Sequence, residues 1–264
     1  MTKAVAAKTW ALPVVGGRRY SAGAPQVGSL VFTGIVDEET DRLDLPIAPI
    51  NVGAGDFTIE FWIRALNTNT APSLSTGASY LFPNSNIVMD RDNLSVTRDF
   101  GAGLAAGRMV FSVENSNGAY TVVATTDLRD NEWHHVALQR QASDGWMSIC
   151  IDGSREVQAT GPTGDISYQG SLGGHHEFLV FGTEKHGFQE EGGLRGRLSA
   201  IHIWDSIRYS GSTYTVPTGP ISGALARYLM SEQSGTTVGD SAGSNDGFIA
   251  AGGVPAWSSD GPFS

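Results

Sequence analysis

Two histidines stand side by side in NEWHHVALQR, at His134 and His135, and a second pair follows at His175 and His176. Paired imidazoles are the usual material of zinc sites and of general bases. The surrounding pattern argues against both uses. WHHVALQR reads as an extended strand, and in a strand adjacent side chains point to opposite faces. Neither pair can then turn both rings onto one ion. His134 shares its phase with Val136 and Leu138, on the face expected to be buried, and His135 shares its phase with Ala137 and Gln139. The reading is of a neutral buried histidine with a hydrogen-bond partner.

Carboxylates meet the same test. A retaining glycosidase needs two carboxyl groups about 5 Å apart across one bond, which a strand supplies from alternate positions. Here Glu60 is followed at that spacing by Trp62 and then Arg64, while VDEETDRLD gathers its acids in a loop. No GxSxG elbow is present. The single cysteine, Cys150, lies in the apolar run WMSICIDG and reads as a small core residue, with no intrachain disulfide available. The chain is expected not to be an enzyme.

The elements that must carry these residues are strands. Ten short alternating runs, beginning near Ser29, Arg42, Asp56, Gly107, Ala119, Trp133, Gly145, His176, Arg195 and Leu225, are separated by Gly, Asn and Pro clusters. In DFTIEFWIRAL, Phe57, Ile59, Phe61 and Ile63 share one face and Thr58, Glu60, Trp62 and Arg64 the other. At 264 residues and 40% hydrophobic content the chain can bury one large core. The expected fold is an all-β, two-sheet antiparallel jelly-roll sandwich over residues 29–264, preceded by an Ala-, Gly- and Arg-containing N-terminal arm at 1–28. The segment from Glu232 onward is loop-like, and Phe248 and Trp257 are its candidate anchors to the body.

A formal charge of -10 excludes the basic stripe that nucleic-acid binding requires. No run approaches the ~20 apolar residues of a membrane helix, and Lys3 and Lys8 interrupt the apolar character of the amino terminus, so no secretory signal is expected.

DFTIEFWIRA, NEWHHVALQR, GWMSICIDG, FLVFGTE and LRGRLSAIHIWDS, in this order and spacing, resemble the laminin G-like and pentraxin branch of the concanavalin A-like lectin and glucanase superfamily. GTTVGDSAGSNDGFIAAGGVPAW resembles a segment that bacterial laminin G-like jelly-roll proteins carry beside the domain. The resemblance implies a lectin-like adhesion module that binds glycans, cell surfaces or protein partners, often with calcium at one edge. It places the calcium ligands at Asp92 and Asn93 of DRDNL and at Glu184 of FGTEKHG, with Gln189, Glu190 and Glu191 nearby. The pattern departs at Lys185 and His186, which stand where that branch has oxygen ligands. An ammonium 4 Å from the ion would oppose it by ~4 kcal/mol per unit charge at an effective dielectric of 20, and nitrogen is a poor calcium donor. A calcium site and an acidic solvated loop both stay open. The same resemblance assigns Trp133 and Trp204 to packing.

Glu60, Trp62 and Arg64 occupy the phase where a jelly roll has its concave groove. An aromatic face flanked by a carboxylate and a guanidinium suits stacking against a sugar ring, and packing under a covering segment is the alternative. Two function classes follow: a non-catalytic glycan- or surface-binding module, and a structural part of an assembly such as a phage virion decoration or fibre protein. The partners expected are a glycan or protein surface, with a homo-oligomer or larger assembly. The location expected is extracellular or on a virion surface.

Overall fold

The structure, a computed structural model, describes residues 27–35, 40–48, 50–91, 97–169, 178–185, 192–250 and 254–263. Sixteen strands appear among them: β1 (Ser29–Thr33), β2 (Leu43–Pro46), β3 (Phe57–Ala65), β4 (Asn86–Asp90), β5 (Arg98–Ala105), β6 (Arg108–Asn115), β7 (Gly118–Asp127) and β8 (His134–Arg140) in the first half. The rest are β9 (Trp146–Ile151), β10 (Ser154–Thr160), β11 (Phe178–Phe181), β12 (Arg195–Trp204), β13 (Ala226–Tyr228), β14 (Thr237–Val238), β15 (Gly247–Ile249) and β16 (Ala256–Ser258). They form two eight-stranded antiparallel sheets. One runs β10-β9-β8-β3-β12-β1-β16, with β13 also on β12, and the other runs β14-β15-β2-β11-β4-β5-β6-β7. This is the expected sandwich.

Alternation builds its interior. Phe57, Ile59, Phe61 and Ile63 of β3 are all fully buried in the main core cluster. Across the gap Phe57 meets Phe100 of β5 at 5.0 Å between ring centroids, and Phe61 meets Phe181 of β11 edge-on at 6.1 Å. Burying each such side chain contributes ~1.5–3 kcal/mol, and these rings bridge the two sheets within a core made up largely of Leu, Ile, Val and Met. In β12 the inward residues change phase, from Leu198 to Ile201 and Ile203. A bulge between Ser199 and His202, with Ala200 at φ 45°, inserts the extra residue and sets His202 opposite Glu60.

The outer faces are covered as well. Segment 205–216 lies over the first sheet: Thr58 Oγ1 donates to the Ser206 carbonyl at 2.8 Å, and Gln139 takes both the N–H (2.8 Å) and the C=O (3.0 Å) of Tyr209. This coverage corrects the expectation for the histidine pair. The two rings do face opposite ways, but His135 is the sealed one at 1% exposure, and His134 sits half-buried at the strand entrance between Asp130 and Asp152. On the second sheet, a short 3-10 turn at Phe82–Asn84 crosses β5. A Cβ at Gly101 would stand 2.3 Å from the Phe82 ring, and one at Gly103 would stand 1.9 Å from Ser85 Oγ, so the close crossing requires both glycines.

Residues 1–26 of the expected arm lie outside the described residues. Gly28 is fixed to the body: its N–H donates to the Leu229 carbonyl at 3.2 Å and its carbonyl accepts from Ser199 Oγ. The C-terminal stretch is more regular than its composition suggests, since β14 and β15 extend one sheet and β16 the other. Trp257 packs against the core as expected, whereas Phe248 is 44% exposed and leans on Phe178, so Val238 and Ile249 do the anchoring beside it.

Candidate functional site

Glu60 does not face an open groove. It is fully buried at the centre of a polar network: Trp204 Nε1 donates to Oε1 at 2.7 Å, and the Tyr209 hydroxyl donates to Oε2 at 2.5 Å. His135 Nε2 stands 3.1 Å from Oε2, and its Nδ1 stands 2.7 Å from the Tyr214 hydroxyl. Because an ionised carboxylate only accepts, His135 Nε2 is the donor to Glu60. Burial is the largest influence on Glu60 and pushes its carboxyl up, but hydrogen bonds from His135 and Tyr209 and the nearby imidazoles together hold it below the ordinary range. His202, stacked on Trp204, is pushed down to about 4 by burial; its Nδ1 donates to the Ala200 carbonyl and its Nε2 accepts from Ile221 N–H, the pattern of a neutral ring.

Tyr214, His135 and Glu60 follow one another as nucleophile, base and orienting carboxylate would. The chemistry does not follow. His135 and Glu60 are sealed from solvent, at 1% and 0% exposure, so no substrate reaches the base, and burial raises the Tyr214 phenol further above its usual value. The network bolts segment 205–216 onto the sheet.

Trp62 and Arg64 continue the same face toward the C-terminal residues. The Trp62 ring is half-buried, edge-on to His135 and to Phe263, each at 5.4 Å. Arg64 Nε donates to the Asn131 carbonyl at 2.7 Å, and Nη1 pairs with Asp260 at 2.7 Å. Of the three residues expected to stack a sugar, Glu60 is therefore corrected to a structural acceptor, and the other two are covered in part by residues 260–263. The covering segments are remote in sequence, which is why alternation alone could not reveal them.

For the expected calcium ligands, Asp92 and Asn93 lie outside the described residues, as do His186 and residues 189–191. Glu184 is 6% exposed. Lys185 beside it is buried, its N–H donating to Asp90 Oδ2 at 2.9 Å and its ammonium lying 5.2 Å from the centroid of the Tyr168 ring. Among the described residues no three His, Cys, Asp or Glu side chains gather as a metal site.

An open concavity lies elsewhere, at the rim where the β6–β7 hairpin meets the loop following β10. Ala78, Asn117, Gly118, Ala119, Tyr120, Gly161 and Pro162 line a wide-mouthed groove of about 370 Å³. Its walls are held from below. Arg140, buried on β8, donates to the carbonyls of Pro162 (2.9 Å) and Gly164 (2.6 Å), and Asn115 and Asn117 both donate to the Thr163 carbonyl, at 2.8 and 3.1 Å. Burial pulls the Arg140 guanidinium down to about 10, which still leaves it charged at neutral pH. Tyr120 forms the half-buried aromatic wall, packed on the core, and a Cβ at Gly118 would meet nothing within 4 Å. An aromatic face beside amide groups on a rigid frame is suited to a ligand with one apolar face and several hydroxyls. The sequence reading passed over this groove because SNG between two strands is ordinary hairpin chemistry.

Comparison with known proteins agrees with this architecture. The laminin G-like profile of the concanavalin A-like lectin/glucanases superfamily matches residues 37–210. Among solved structures, a Bacteroides ovatus protein assigned to carbohydrate binding superposes with a TM-score of 0.52 at 16% identity, covering 85% of this chain and 58% of that one. The domains LG4-5 of the mouse laminin alpha1 chain give 0.48 at 16% identity, covering 74% and 47%. The heptameric SAP-like pentraxin of Limulus polyphemus gives 0.47 at 17%, covering 71% and 80%. The chain thus spans little over half the length of the Bacteroides protein. No curated protein matches it. With the profile covering most of the chain and the two-sheet topology in agreement, the chain belongs to the concanavalin A-like lectin/glucanase superfamily, in its laminin G-like branch.

Proposed function

We propose that this protein is a non-catalytic recognition module that binds a glycan through the rim groove at Tyr120. The observation that carries the reading is the groove itself: an aromatic wall, the exposed Asn117 amide and a backbone frame fixed by the buried Arg140. The carboxylate and imidazoles that would serve hydrolysis are instead buried and committed to each other. The Bacteroides ovatus protein of the same fold is assigned to carbohydrate binding, which sets glycans as the first ligand class to test.

Calcium bound through Asp92, Asn93 and Glu184 is a separable part of the proposal. The family resemblance supports it, and the buried ammonium of Lys185 next to Glu184 stands against it. A glycan array read with calcium and with chelator tests both parts. Binding that is lost in Tyr120→Ala supports the groove, and a melting temperature raised by calcium supports the ion. If no glycan binds, the groove reading fails. If calcium leaves the melting temperature unchanged, that element is withdrawn.

A further inference from the structure

Arg64 and Arg197 sit directly opposite each other on β3 and β12. Like charges at directly opposed positions of an antiparallel pair repel, so this arrangement calls for an anion between them. Asp260 supplies it: one carboxylate oxygen, Oδ2, accepts from Nη1 of both arginines, and Oδ1 lies 3.5 Å from Trp133 Nε1, at the outer limit of a hydrogen bond. Each guanidinium also has a second acceptor. Arg64 Nε is held by the carbonyl and side-chain oxygens of Asn131, at 2.7 and 3.1 Å, and Arg197 Nη1 by Ser258 Oγ at 3.0 Å, which also accepts from the Asp260 N–H at 3.2 Å.

The site is also reachable. Side-chain exposures of 27% for Arg64, 31% for Arg197 and 35% for Asp260 leave the ion pairs open to water, where such pairs are individually weak. Asp260 follows β16 in a short terminal segment that is further tied by Ser29 Oγ, which donates to the Asp260 carbonyl at 2.6 Å. A double-guanidinium site filled by a partly exposed side chain of the same molecule is a binding site occupied in cis.

We infer that Arg64, Arg197 and the Trp133 indole form a carboxylate-binding cradle, that Asp260 is its internal occupant, and that it takes a carboxylate from solution when that side chain is withdrawn. The ligand class is a compact monocarboxylate, such as acetate or the carboxyl group of an acidic sugar. The cradle stands apart from the Tyr120 groove, and the two are tested by different variants.

The test is chemical rescue in the full chain. Asp260→Ala is titrated with acetate, and separately with sodium chloride at equal ionic strength, while melting temperature and tryptophan fluorescence are followed. The expected result is a saturable rise in melting temperature and a fluorescence change with acetate, repeated by glucuronate, absent in the unaltered protein and abolished by adding Arg64→Gln. If Asp260→Ala does not fold, Asp260→Ser, which keeps a polar residue at the turn, replaces it. Equal responses to chloride and acetate, or no response in the folded variant, overturn the inference.

Discussion

Replacing Glu60 separates a structural network from a ligand site. In Glu60→Ala three donors lose their acceptor at once: Trp204 Nε1, the Tyr209 hydroxyl and His135 Nε2. Each buried donor left unsatisfied costs ~1–3 kcal/mol. Since Tyr209 belongs to a surface segment that can relax toward water, the sum is expected to fall at about 3–5 kcal/mol. Glu60→Gln should cost only about 1 kcal/mol. Its amide oxygen can keep the Trp204 bond, its NH2 can donate to the Tyr209 oxygen, and His135 can move its proton to Nδ1, donate to Tyr214 and accept at Nε2. The sign of the pH effect follows from the lowered carboxyl of Glu60. A group whose folded-state value is depressed contributes stability that is present above its unfolded value, near 4.5, and lost as pH falls through the folded one. The difference between the natural protein and Glu60→Gln should therefore shrink below about pH 4.5. Urea unfolding followed by circular dichroism at several pH values measures all three quantities. A loss below about 1 kcal/mol in the Ala variant, or Gln and Ala variants equally damaged, would refute the network as described.

Three further outcomes follow from other parts of the fold. Glu156 of β10 accepts from the backbone N–H groups of Thr125 (2.7 Å) and Thr126 (3.0 Å), shielding an edge of β7. Glu156→Ala should lower stability by about 1–2 kcal/mol and increase aggregation seen by light scattering. Gly101→Ala forces a methyl against the Phe82 ring and should cost about 1–3 kcal/mol in the same unfolding assay. Hydrogen bonds that His134 donates to Asp152 and then to Asp130 raise it to about 9, so its contribution is complete below its unfolded value of 6.5 and lost as pH rises through about 9. Asp152→Asn should flatten that part of the stability profile, and an unchanged slope there would show that the ion pairs are not formed in solution.

What was legible in the sequence was whatever a period of two could encode. Phe57, Ile59, Phe61 and Ile63 announced their strand and their face because both alternation and β-propensity point the same way. β10 was missed because SREVQAT is a polar edge strand, paired through its backbone and only half-buried. β5 was missed because its glycines obey the Phe82 crossing rather than strand propensity. The roles of Glu60 and His135 were hidden because their partners, Trp204, Tyr209 and Tyr214, arrive from a segment about 70 to 150 residues away in the chain, and no local pattern records such a meeting. The Tyr120 groove has the same character, since its opposite wall at Gly161 and Pro162 is placed by Arg140.

Binding measured on the natural protein and on Tyr120→Ala, with folding verified by near-ultraviolet circular dichroism, bears most directly on recognition at the rim. The expected result is a glycan bound intact by the former, with affinity reduced ~10-fold or more in the latter, as loss of a stacking ring of about 1.5 kcal/mol implies. Release of new reducing ends from the bound glycan, or binding indifferent to Tyr120, would contradict it.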